Sequence, residues 1–237
     1  NMSPDALERA MEKYSKAGKL PKAVIVVHLY GLAADLEKIT EICKKYSVPL
    51  IEDAAESLGT IYKGKMTGTF GEYGIISFNG NKIITSSGGG MLLCNGENAE
   101  DKLEKALFWA TQSRDKARYY QHSELGYNYR MSNIVAGIGR GQLKVLDKRI
   151  EKKRFIYDYY KKAFSDIHEI TMMPVYDDIE RSNCWLSCFI VSEESKVTPL
   201  DIQFVLEREN IEARPVWKPM HLQPFFSDYD YIDNGGI

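Results

Sequence analysis

The sequence predicts an α/β fold: a large domain built on a mostly parallel sheet, followed by a smaller α+β domain. Three observations carry that expectation. Apolar runs at residues 23–27 and 48–53 flank an amphipathic stretch at residues 35–46, which is the strand–helix–strand order of a parallel crossover. Residues 75–78 and 91–94 read as further strands, and the runs at 48–53 and from Ile75 as short buried strands of a parallel sheet. Beyond residue 170 the pattern changes to a strand at 185–191, a helix at 199–209 and a strand at 211–216. The expected division is therefore residues 1–145, part of the large domain, and residues 146–237, a connector helix with part of the small domain.

Each element has a local reason. Ser3 is a helix cap and Pro4 stands at the first helical position, where its missing N–H costs nothing. The amphipathic run they open continues to about Lys16 and stops at Gly18. Ile61-Tyr-Lys-Gly-Lys65 reads as a small hairpin or turn around Gly64. Residues 98–111 read as a helix, and residues 114–128, polar and aromatic, as a mobile or interface loop. Residues 132–164 are helical with one break near Leu146-Asp147, and the apolar residues 134–138 suit an interface as well as a core.

The chain has 237 residues, 44% hydrophobic and 27% charged, with a formal net charge of −2, the profile of a soluble globular protein. No long basic run points to nucleic acid or to an anionic membrane, and no apolar stretch has membrane-spanning length. Lys152-Lys-Arg154 and Lys161-Lys162 read as a solvated helix face. Cys43, Cys94, Cys184 and Cys188 show neither a CxxC pair nor metal-ligand spacing, so they are expected to be reduced and mostly buried, and no metal is expected. Cytoplasmic localisation follows from that reading.

Asp53 closes one strand run and Lys82 follows another, Ile75-Ile-Ser-Phe-Asn-Gly-Asn-Lys82. In parallel sheets ligands sit at the carboxyl ends of the strands. A carboxylate and a lysine meeting there are the two groups that pyridoxal phosphate needs. The lysine forms the Schiff base, and the carboxylate keeps the pyridine nitrogen protonated so that the ring acts as an electron sink. An ordinary ion pair is the competing explanation.

Val27-His-Leu-Tyr-Gly31, Ile51-Glu-Asp-Ala-Ala-Glu-Ser-Leu-Gly59, Ser77-Phe-Asn-Gly-Asn-Lys82, Gly126-Tyr-Asn-Tyr-Arg-Met-Ser132 and Arg214-Pro-Val-Trp-Lys-Pro-Met-His-Leu-Gln-Pro224 occur in order. Together they resemble the DegT/DnrJ/EryC1/StrS family of pyridoxal-phosphate sugar aminotransferases, which have the aspartate-aminotransferase (type I) fold. The resemblance implies transamination of a nucleotide-linked keto-deoxy sugar, with glutamate or a similar amino acid as donor. Lys82 would be the Schiff-base lysine and proton shuttle, Asp53 the partner of the ring nitrogen, and Ser77 a donor to the cofactor phosphate. Glu56 stands where the family often has Gln or His near the ring hydroxyl; a carboxylate there departs from the pattern, and as a cofactor contact it would either be protonated or meet the ring oxygen through another group. The family's shared active sites imply a homodimer in which Asn128 reaches the partner's cofactor phosphate and Arg130 the partner's substrate. Trp217 and His221 resemble positions near the nucleotide-sugar.

Two departures from the family pattern stand out. Ser87-Gly-Gly-Gly90 has Gly88 where many relatives carry an acidic residue. No Gly-Thr-rich phosphate turn precedes residue 23, and the closing segment, Asp228-Tyr-Asp-Tyr-Ile-Asp-Asn-Gly-Gly-Ile237, lacks a final helix. The expectation is a fragment without its N-terminal part, with weak cofactor binding and doubtful activity of its own. Two other activities fit the same scaffold: a sugar dehydratase, against which Lys82 argues because such relatives carry His there, and a non-catalytic sugar-binding or regulatory protein.

Overall fold

A computed structural model describes residues 1–233; the end of the closing segment, residues 234–237, lies outside the described residues. Helix α1 spans Pro4–Lys16, with the Ser3 hydroxyl accepting the Ala6 N–H at 3.3 Å and Gly18 taking a left-handed turn at φ 64°. Strand β1 (Val24–Val27), helix α2 (Leu36–Lys45) and strand β2 (Leu50–Asp53) form the expected crossover, with Val24 opposite Leu50 and Val27 opposite Asp53 in parallel register. β3 (Ile61–Tyr62) and β4 (Lys65–Met66) make the small hairpin around Gly64. β5 (Tyr73–Ser77) pairs in parallel with β2, and β6 (Gly90–Cys94) adds an antiparallel edge, so the order is β1-β2-β5-β6.

Among the described residues, one face of the parallel strands is fully enclosed, whereas the other is half-buried to exposed. Burial alternates along β1: Val24 and Val26 are enclosed, whereas Ile25 is 58% exposed. α1 and α2 cover the inner face, where Leu7, Met11, Leu36, Ile39 and Ile42 pack against Val24, Val26 and Leu50. A weaker alternation runs through β2 and β5, so these two strands, read as buried, are enclosed on one face and half-buried on the other.

Helix α3 covers Ala99–Ala110, α4 Asn133–Leu143 and α5 Leu146–Ala163. The break between α4 and α5 thus falls at Lys144-Val145, beside the expected place. The loop between α3 and α4 is closed on itself by backbone bridges from Thr111 to Asn128 and from Arg114 to His122. On α4, Ile134 is 78% exposed and Ile138 is also exposed, so these residues are not core of the described chain.

After α5 come β7 (Ile170–Met172), β8 (Glu180–Arg181), β9 (Phe189–Val191) and helix α6 (Pro199–Arg208). β8 pairs with β3, and β7 with β9. Three expectations fail here. Residues 185–188 are not strand, because Trp185 turns inward into the core. Residues 211–216 are not strand either: none of the three described sheets offers them a partner, and a strand needs one. Lys153 and Arg154 are not part of a solvated face, since Arg154 donates to the Ser182 carbonyl at 2.9 Å and pairs with Asp177. All four cysteines are free thiols; Cys43 and Cys184 are buried, whereas Cys94 and Cys188 are half-buried.

Candidate active site

β2 and β5 lie side by side and point the same way, so their carboxyl ends open at one edge of the sheet. β2 ends in Asp53, whose Oδ1 accepts the Ala55 N–H at 3.1 Å and starts a turn. That turn carries Glu56 inward, where Oε2 accepts the Tyr30 N–H at 2.7 Å. β5 ends in Ser77, and the next turn, closed by the Lys82 N–H donating to the Asn79 carbonyl at 3.1 Å, presents Lys82. Burial pushes the Glu56 carboxyl up from its ordinary value, against the pull of the Tyr30 amide and of the Lys82 charge, while Asp53 adds to the rise. Glu56 thus feels both members of the predicted pair.

Aromatic residues wall the site. The Lys82 ammonium lies 4.6 Å from the centre of the Trp185 ring. Trp185 packs at 5.8 Å against Trp217, which in turn packs at 5.0 Å against Tyr30. The Tyr30 hydroxyl accepts the Trp217 N–H at 2.8 Å, and Tyr30 adopts φ 57°, a conformation uncommon outside glycine. Asn183 anchors this wall: its Nδ2 donates to the carbonyls of Glu56 and Leu58 at 2.9 and 3.0 Å, and its Oδ1 accepts the Trp185 N–H at 2.9 Å. Gly31 makes room for it, since a Cβ there would lie 1.8 Å from Asn183 Oδ1. Burial pushes the Cys188 thiol up to about 11, with Glu56 adding to the rise, so Cys188 is a protonated wall residue and not a nucleophile.

Behind Asp53, Glu52 is fully buried. It accepts N–H groups from Gly68, Phe70 and Gly71 as well as the His28 ring at 3.0 Å. The Ala34 N–H donates to His28 Nδ1, so Nε2 carries the proton that Glu52 accepts. Burial alone would push Glu52 up, but His28 and the backbone donors outweigh it and hold the carboxyl below its ordinary value. This network fixes the loop from His28 to Ala34, and with it Tyr30.

The predicted residues divide into two groups. Asp53, Glu56, Lys82 and Trp217 converge on one cluster. Ser77 sits at the end of β5, with Oγ accepting the Asn79 N–H at 3.3 Å. Asn128 and Arg130 face solvent, and His221 stacks on Tyr231 at 3.7 Å. Sequence reasoning did not single out Tyr30, Asn183 or Trp185. Tyr30 lay inside a quoted motif; the other two had no local signal.

The cluster fits a cofactor that needs an amine at one end and a carboxylate at the other. Lys82 and Asp53 supply these from neighbouring strand ends, and a buried carboxyl at Glu56 interacts with both. The profile of the DegT/DnrJ/EryC1/StrS aminotransferase family matches residues 1–235. The chain is 54% identical over its whole length to EpsN of Bacillus subtilis (strain 168), a protein provisionally named as a pyridoxal phosphate-dependent aminotransferase, and covers 60% of it. It is 38% identical to the GDP-perosamine synthase of Escherichia coli O157:H7, with 87% of this chain and 55% of that one aligned. The crystal structure of a DegT DnrJ EryC1 StrS aminotransferase from Brucella abortus superimposes on all of the chain and 61% of its own, with a TM-score of 0.84 and 30% identity. The chain therefore spans little more than half the length of the relatives it matches. With the type I fold, and with the family profile matching nearly its whole length, the chain belongs to the DegT/DnrJ/EryC1/StrS aminotransferase family.

Proposed function

We propose that the whole protein is a pyridoxal-phosphate-dependent aminotransferase that moves an amine from glutamate, or a similar amino acid, to a nucleotide-linked keto-deoxy sugar. The observation that carries this reading is the Asp53–Lys82 pair at the ends of β2 and β5, with Glu56 electrostatically coupled to both. The similarity to a protein named GDP-perosamine synthase supports a nucleotide sugar as the substrate class. When bound, the cofactor would supply an electron sink for the carbon that loses or gains a proton. Lys82 would bond the cofactor and move that proton, while Asp53 would hold the ring nitrogen in its protonated state.

The Ser77 hydroxyl would donate to the cofactor phosphate, and Glu56 would meet the ring oxygen as a neutral carboxyl, for which its burial is suited. Asn128 and Arg130, exposed on the loop before α4, would act in the site of a second copy. The exposed apolar side chains of Ile134 and Ile138 support a homodimer. Trp217 would line the sugar side of the site, with His221 further along the same segment. Among the described residues no helix is long and apolar enough to cross a membrane, and we place the reaction in the cytoplasm.

The test is the visible spectrum of the full-length protein with added pyridoxal phosphate, before and after glutamate, beside Lys82→Ala. A yellow band that requires Lys82 and bleaches with glutamate is expected. Absence of any Lys82-dependent band would overturn the reading.

A further inference from the structure

Trp185 has a rigidity that core packing alone does not require. It is 1% exposed, its Nε1–H donates to the Asn81 carbonyl at 2.8 Å, and its backbone N–H donates to Asn183 Oδ1. Asn81 adjoins Lys82 in the lysine-bearing turn, and Asn183 binds the Glu56 carbonyl in the turn that carries the carboxyl. Trp185 is thus tied to both turns that build the site, by its indole to one and by its backbone, through Asn183, to the other. One face of the indole meets the Lys82 ammonium at 4.6 Å, and among the described residues that ammonium forms no ion pair, although Glu56 feels its charge.

A lysine side chain has four rotatable bonds and loses up to about 2 kcal/mol of rotamer entropy when it is held in one place. A cation–π contact to a half-buried ammonium contributes about 1 kcal/mol, part of that cost. The indole face therefore holds the amine without fixing it. It accepts no proton and makes no directional bond, so the nitrogen leaves it without breaking a hydrogen bond.

We propose that Trp185 is a positioning residue for the amine of Lys82: its indole face is where the amine rests whenever the nitrogen carries no bond to the cofactor. This rests on the reading of Lys82 as the lysine that bonds the cofactor. A resting place beside the two turns keeps the amine within the site during the half of the cycle in which it is free. Without it, the side chain samples solvent and returns more slowly.

The contact is tested by nuclear magnetic resonance on the full-length protein freed of cofactor, its lysines carrying ¹³C-methyl groups. The Lys82 signal, identified by its loss in Lys82→Arg, is expected upfield of the other lysine signals because of the indole ring current. Trp185→Phe should keep part of that shift, and Trp185→Leu should abolish it. In the loaded protein bleached with glutamate, return of the yellow band on adding a keto acid should slow by about fivefold in Trp185→Leu, the worth of one cation–π contact. In Trp185→Phe it should stay within about twofold. A wild-type Lys82 signal among those of exposed lysines would overturn the proposal whatever the band does. A missing band with the Lys82 signal still shifted would instead overturn the aminotransferase reading, and with it the role given to the contact.

Discussion

Glu180 makes the stability of this protein depend on pH, and Glu180→Gln isolates the effect. The residue stands in β8, where pairing with β3 turns its side chain into the interior, leaving it 5% exposed. Oε2 accepts the Ala33 N–H at 3.1 Å, and Oε1 has no hydrogen-bond partner among the described residues. Burial pushes the carboxyl up to about 7, against the pull of the Ala33 and Tyr176 amides and of the Arg154 charge, while Asp177 adds to the rise. Arg154 gives little relief because it is paired with Asp177. Below the ordinary value of 4.5 the group is protonated in the native and unfolded states alike, so its contribution is fully present. As pH rises from there, the unfolded chain ionises first and is favoured, and the loss levels off once the native carboxyl has ionised above about 7. The loss across that window is on the order of 3 kcal/mol. Glutamine keeps an oxygen for the Ala33 N–H and never ionises. In urea unfolding followed by circular dichroism, variant and wild type should be nearly equal at the acid end of the window, and the variant should be the more stable at its alkaline end. All other titrating groups are common to both proteins and cancel in the difference. A stability difference that does not change with pH would refute the reasoning.

Two further substitutions test the architecture of the site. Gly31→Ala places a Cβ 1.8 Å from Asn183 Oδ1 at a φ of 91°, so it should cost about 3 kcal/mol or more in urea unfolding by displacing the residue that anchors Glu56 and Trp185. An alanine variant as stable as the wild type would show that the anchor is dispensable. Tyr30→Phe removes only the hydroxyl that accepts the Trp217 backbone N–H, so it should cost about 1 kcal/mol and raise the acrylamide quenching of the already half-exposed Trp217. Unchanged quenching would mean that the ring contacts alone hold the segment.

Much of the fold was legible because its signals are local. The start of α1 reads directly from Ser3 and Pro4, and the hairpin between β3 and β4 from Gly64 at φ 81°. The parallel strands showed themselves as apolar runs, but not that one face of them is less enclosed than the other, because burial depends on which helices pack on the sheet. The apolar residues 211–216 have strand composition and still form none, since composition does not supply a neighbouring strand. Lys153 and Arg154 looked solvated because charged residues usually are; a carbonyl and Asp177 from later in the chain draw Arg154 inward.

The site divides along the same line. Asp53 and Lys82 could be read from the chain because Asp53 ends its strand and Lys82 stands in the turn just after its own, and adjacent parallel strands must deliver their carboxyl ends to the same edge. Glu56 was visible as a residue, but not its rise in pKa, which comes from burial and, to a lesser degree, from the Asp53 charge, against the pull of the Tyr30 amide and of Lys82. Asn183 reaches the Glu56 carbonyl from 127 residues away, and through it Trp185 arrives under Lys82. No pattern within either stretch announces that meeting. Residue order dictates hydrogen bonds that close over a few positions, whereas a buried wall assembled from distant segments exists only once the chain has folded and excluded water from between them.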